Sequence, residues 1–127
     1  MADFTVLAAI AFLFVMGTSM FFYLSNKTND VGYQILTGVV DGVAMSVHQR
    51  VFMLYNYWVP YVGSVACCSG FLAFAQLQLA GQARDDGIRI LAYLAALFGA
   101  AGAIGWLVLG ASAFVHYRSI LRQAEAS

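Results

Sequence analysis

Charged residues interrupt the chain in a way that leaves three long uncharged runs, at 4–26, 51–83 and 90–117. A bilayer core about 30 Å thick is crossed by roughly 20 apolar residues rising about 1.5 Å each. All three runs are long enough, and they predict membrane-spanning helices at about 4–24, 59–80 and 88–117. The first ends in the polar run Ser25, Asn26, Lys27, Thr28, Asn29 and Asp30. Pro60 suits the first turn of a helix, where its missing N–H costs nothing, and so marks the start of the second. Residues 81–87 read as a short turn. The last span is longer than a bilayer and must tilt or project.

Residues 31–49 carry a different pattern. At 100° per residue, Val31, Ile35, Leu36, Val39, Val40, Val43 and Val47 share one face, while Gln34, Thr37, Gly38, Asp41, His48 and Gln49 share the other. This is the signature of an amphipathic helix. Seven aliphatic residues offset about 2–4 kcal/mol and a central Asp41 costs about 2.5–3.5 kcal/mol, so insertion is near balance. Interfacial helices carry Lys or Arg on their polar face, and none occurs between Lys27 and Arg50. The pattern therefore favours four spans, at about 4–24, 31–49, 59–80 and 88–117. The alternative is three spans with 31–49 lying in the interface. Both are small all-α integral membrane bundles forming one domain over 1–127.

Composition agrees with this class. The chain is 62% hydrophobic and 9% charged, with a mean hydropathy of +0.80. Soluble domains carry about 25% charged residues, and abundant Leu, Val, Phe and Ala argue against disorder. The first run has Asp3 where a signal peptide carries basic residues, which favours a retained helix. Arg50, Arg118 and Arg122 share one membrane side in both topologies, so the positive-inside rule puts the C-terminus in the cytoplasm. Tyr55, Tyr57, Trp58, Tyr61, Phe114 and Tyr117 would then form an aromatic belt at that interface.

Small residues recur every three or four positions on two of the helices. Gly63, Ala66, Gly70, Ala73 and Ala80 line the span after Pro60; Ala92, Ala96, Gly99, Ala103, Gly110 and Ala113 line the last. Such faces let backbones approach where lipid supplies no hydrophobic driving force, so the two helices should pack as an antiparallel pair.

Candidate chemistry is sparse. Asp41, with Gln34 and Thr37 on its face, would line an ion or proton route if it lay in the membrane; in a surface helix it would simply face water. His48 and His116 fall on one side and are the residue type that ligates haem or a metal, although interfacial histidines are more often solvated. Adjacent Cys67 and Cys68 diverge by about 100° on a helix and should not pair. No catalytic constellation, zinc spacing, phosphate-binding loop or basic patch for nucleic acid is present. The expectation is a non-catalytic accessory or assembly subunit of a larger membrane complex, without a cofactor. Its partners would be the lipid bilayer and other membrane subunits or further copies of itself. The alternatives are a homo-oligomeric channel or transporter through Asp41, or a haem- or metal-binding subunit using His48 and His116.

Overall fold

The computed structural model describes residues 2–126. Helix α1 runs over Asp3–Thr37. A hairpin of two short strands follows, β1 (Val39–Val40) and β2 (Val43–Ala44). Helix α2 (Val47–Met53) then passes through a π-helical turn (Leu54–Trp58) directly into α3 (Val59–Gln82), and α4 covers Asp86–Ala126. Among the described residues, three helices are long and apolar enough to cross a membrane: α1, the continuous helix Val47–Gln82, and α4.

The amphipathic helix expected at 31–49 does not form. Its first seven residues extend α1, its last three open α2, and the chain reverses between them. The four-span arrangement gives way to three long helices, with no interfacial helix at 31–49. Pro60 falls in the first turn of α3, as expected, but α3 does not start afresh there. Pro60 sits inside a continuous helix, just past the π-helical turn, where the Val59 N–H reaches back to the Leu54 carbonyl. A proline ring crowds the carbonyl four residues earlier and offers it no donor. Widening the preceding turn is one known way for a helix to absorb such a misfit.

The most extensive interface is α3 against α4, and α1 lies across it, mainly on α3. Helices α3 and α4 are joined through Ala83–Asp85 and pack along the small-residue faces. Gly99 marks the tightest approach: a Cβ there would lie 2.9 Å from the Ser69 carbonyl oxygen and 3.1 Å from the Ala73 Cβ. Ala66, Ala73, Ala80, Ala92 and Ala96 are buried, as is Gly110, whose Cβ would meet Val62 at 2.7 Å. Gly70 is only in ordinary contact, 4.0 Å from the Ala103 Cβ, and Gly63 faces open space. Gly99 and Gly110 thus lie at the close contacts of the seam and Gly70 beside it, whereas Gly63 lies off it.

Two hydrophobic clusters close the ends of the bundle. Val6, Ile10, Ala80, Ala83 and Ala92 form one. Ile35, Leu54, Trp58, Val62 and Leu121 form the other. At the first end the Asp3 carboxylate accepts hydrogen bonds from the Arg84 and Asp85 N–H groups, at 3.0 and 3.1 Å, fastening the start of α1 to the α3–α4 connection. Between the ends, the Gln76 amide donates from Nε2 to the Ile10 carbonyl at 3.2 Å. Where water is excluded, such interhelical bonds help hold helices together.

Gly99→Leu should lower stability in detergent by about 1–3 kcal/mol or more, because a side chain there meets backbone that cannot yield. Gly63→Leu should change it by less than about 0.5 kcal/mol. Thermal unfolding of the two variants side by side checks the register of the seam.

Candidate functional site

The chain reversal organises the end of the molecule where most of its side-chain chemistry gathers. Gly38 ends α1 in the left-handed conformation (φ 73°), and its N–H donates to the Gln34 carbonyl at 2.8 Å. Val39 pairs with Ala44 and Val40 with Val43, leaving Asp41 and Gly42 as a two-residue loop. Both have positive φ, 50° and 78°, as a type I′ turn requires. That turn suits Asp-Gly because its twist matches that of the strands it joins. Helix α2 then starts on a reciprocal cap: Ser46 Oγ accepts from the Gln49 N–H at 3.2 Å and Gln49 Oε1 from the Ser46 N–H at 3.0 Å.

Arg50 secures the reversal. Its Nε donates to the Ile35 carbonyl at 2.8 Å and its Nη2 to the Leu36 carbonyl at 3.0 Å. These carbonyls belong to the last turn of α1, which has no intrahelical donors for them. A cation also suits the negative end of the helix dipole. Gly38 makes room for it: a Cβ there would lie 3.3 Å from the guanidinium.

Behind this cap is an aromatic cluster. Trp58 is buried (4% exposed), stacks on Phe114 with centroids 6.4 Å apart and meets Tyr117 edge-on at 5.3 Å. Gly32 admits the pair to α1, since a Cβ there would meet the Tyr117 hydroxyl at 2.7 Å. Trp58 is thus a core residue joining α1, α3 and α4. Of the expected belt, Tyr55 and Tyr57 are exposed.

These placements change the roles assigned from sequence. Asp41 does not lie within a helix; it sits exposed at the hairpin tip, held there by its backbone conformation. Gln34 and Thr37 are on the last turns of α1, and the Thr37 hydroxyl donates to the Tyr33 carbonyl at 2.9 Å. The three residues do not form one polar helix face. His48 is exposed at the start of α2 and borders an open groove of about 550 Å³ beneath the hairpin, lined also by Gln34, Val40, Met45, Phe52 and Tyr57. His116 is exposed on α4 outside that groove, with its ring 6.2 Å from that of Tyr117. Both histidines lie at the same end, as expected, but the groove takes only one of them. Among the described residues, no three His, Cys, Asp or Glu side chains are grouped closely enough to hold a metal ion. Cys67 and Cys68 are free.

Sequence reasoning missed the hairpin and the cap on α1. The signal for the first was present: Asp41-Gly42 between Val39-Val40 and Val43-Ala44, preceded by Gly38, is the strongest short-range hairpin pattern. A helical wheel absorbed these valines because Val39, Val43 and Val47, four apart, and Val40 and Val43, three apart, also fall on one helix face. Arg50 bonds carbonyls 14 and 15 positions away, and no local pattern announces that.

No family model matches this chain, and no curated protein or solved structure is significantly similar to it.

Arg50→Gln should destabilise the hairpin end by about 1.5–3 kcal/mol, the worth of hydrogen bonds from a charged group, and speed amide exchange of Gly38 and Met45. Asp41→Asn, which tolerates positive φ, should be neutral, whereas Asp41→Val should cost about 1–2 kcal/mol. Thermal unfolding and hydrogen exchange in detergent measure both effects.

Proposed function

We propose that this chain is a non-catalytic assembly subunit that binds another membrane protein through its hairpin end. One observation supports this reading: exposed apolar side chains continue on α1 and the hairpin past the end of the uncharged run of α1. The helices are about 52, 54 and 61 Å long, from 35, 36 and 41 residues at about 1.5 Å each, against a hydrocarbon core of about 30 Å. The uncharged part of α1 ends at Asn26, and its last ten residues after Lys27 extend about 15 Å further.

Exposed apolar groups continue along that extension. Tyr33 (68% exposed), Leu36 and Val43 (68%) stand out from α1 and the hairpin, and Phe52 (55%) from α2 beside them. Large contiguous apolar surface facing water marks interaction sites. Inside the membrane lipid would cover such groups; here a protein partner is the fitting cover.

Charge supports an orientation for the same reading. Arg50, Arg118 and Arg122 gather with Lys27 at the hairpin end, against Arg84 and Arg89 at the other. Under the positive-inside rule the hairpin and C-terminus then face the cytoplasm and the N-terminus faces outward. The partner would dock from the cytoplasmic side.

Extracted from its native membrane in mild detergent, the chain should migrate on native gels well above its own mass with a stoichiometric partner. Val43→Asp combined with Phe52→Asp should release the partner while leaving thermal unfolding of the isolated chain within about 0.5 kcal/mol. Migration as an isolated chain, or a partner retained by the double variant, would overturn the proposal.

A further inference from the structure

The basic side chains of this chain differ in what holds them. Arg50 is spent on the carbonyls that end α1. Arg89 donates to the Ala83 carbonyl at 2.8 Å and lies 3.6 Å from the Asp86 carboxylate. The Lys27 ammonium sits 5.7 Å from the centre of the Tyr23 ring. Arg84 is followed directly by Asp85 and Asp86, and its N–H bonds Asp3. Arg118 and Arg122, four residues apart on α4, are both exposed. Among the described residues neither guanidinium has an ion pair or a hydrogen bond, although Glu125 follows in the next turn.

Their height on α4 matches the thickness of a membrane. The uncharged run 90–117 has 28 residues and rises about 42 Å at about 1.5 Å each. Hydrocarbon core and both headgroup layers together measure about 40–45 Å. With α4 spanning, Arg89 stands at one headgroup layer and Arg118 at the other. Helical side chains lean toward the N-terminus of their helix, which at this end means back toward the bilayer. The long Arg122 stem thereby recovers much of the extra turn that separates it from Arg118.

The surface that leads to the two arginines suits a lipid chain. Ile104 (62% exposed), Val108 (60%), Ala111 and Val115 (67%) precede Arg118 and Arg122 at alternating steps of four and three. At 3.6 residues per turn all six fall within about 80° of arc. From 104 to 115 the helix rises about 16 Å, roughly the depth of one leaflet. One exposed stripe is thus apolar through a leaflet and ends in two cations. A second copy of this chain does not fit it, because helices inserted the same way round would set arginine against arginine. The complement is an apolar chain with an anion at its end. A guanidinium fork takes two phosphate oxygens at once, and Cβ atoms four apart on a helix are about 5–6 Å from each other, so both arginines reach one phosphate. A zwitterionic headgroup also offers a phosphate, but its ammonium would meet the second arginine.

We infer that this face of α4 binds one anionic phospholipid, its phosphate between Arg118 and Arg122 and an acyl chain along 104–115. The site rests on the reading of α4 as a membrane span and is independent of the partner proposed for the hairpin end.

The test uses the full chain, purified in mild detergent and reconstituted in parallel into phosphatidylcholine nanodiscs, a step that checks the span separately from the site. The detergent sample is titrated with phosphatidylglycerol or with phosphatidylcholine, and bound lipids are counted by native mass spectrometry. A basic residue near an anionic lipid surface is worth about fivefold in binding. The first phosphatidylglycerol should therefore bind about 25-fold more tightly than the first phosphatidylcholine. Arg118→Gln and Arg122→Gln should each reduce that preference about fivefold, and the double variant should erase it. Arg84→Gln, an exposed arginine at the opposite end, should leave it unchanged. Every variant should unfold at the temperature of the original chain, since the arginines exchanged are exposed. Inorganic phosphate, which lacks the acyl chain, should not displace the lipid. The inference is overturned if the two lipids bind equally, if the double variant keeps the preference, or if Arg84→Gln lowers it as much. Displacement by an equal concentration of inorganic phosphate would mark a site for free anions and overturn it as well.

Discussion

Everything about how this chain is threaded depends on its reversal after Thr37. Gly38 stops α1, Asp41 and Gly42 supply the two positive-φ positions of a tight turn, and Arg50 returns to the carbonyls α1 leaves open. The reversal makes three long helices out of what could have been four short ones. It also decides which residues share an end. With the chain turning back at residue 38, Lys27, Arg50, Arg118 and Arg122 fall together, and Asp41 becomes a turn residue instead of a membrane carboxylate.

The remaining packing follows from how helices attract each other where water is absent. Without a hydrophobic driving force between apolar surfaces, close contact and interhelical hydrogen bonds decide which faces meet. The α3–α4 seam uses small residues and reaches backbone contact at Gly99. α1 is held differently, at its two ends. Asp3 ties one end to the α3–α4 connection, Trp58 and Tyr117 reach Gly32 at the other, and Gln76 bonds Ile10 part-way. A helix clamped at its ends leaves space between the clamps, and a cavity of about 300 Å³ lined by Phe14, Phe21, Phe22 and Phe98 lies there. Fold and cavity therefore share one cause.

The two proposed surfaces differ in their chemistry. The α4 stripe is apolar along the uncharged run and closes in two arginines, a pattern that suits a phospholipid. The hairpin end lies past the uncharged run of α1 and carries exposed apolar groups.

The sequence by itself determined three helices long and apolar enough to cross a membrane, the pairing of α3 with α4, and the gathering of Arg50 with Arg118 and Arg122. These are legible because hydropathy, small-residue spacing and charge act locally or repeat along a helix. The fate of 31–49 was half legible: the Asp-Gly hairpin signal was there, but the valines beside it are three and four apart and also fit a helix face, and local pattern does not rank the two. Only the tertiary structure decided between them, through an arginine bonding carbonyls 14 and 15 residues back. It likewise decided that Trp58 is core, that Gly63 lies off the seam, and that Ser69 and Gln76 border one cavity. Each depends on which helix lies opposite, and a one-dimensional pattern carries no information about its neighbour.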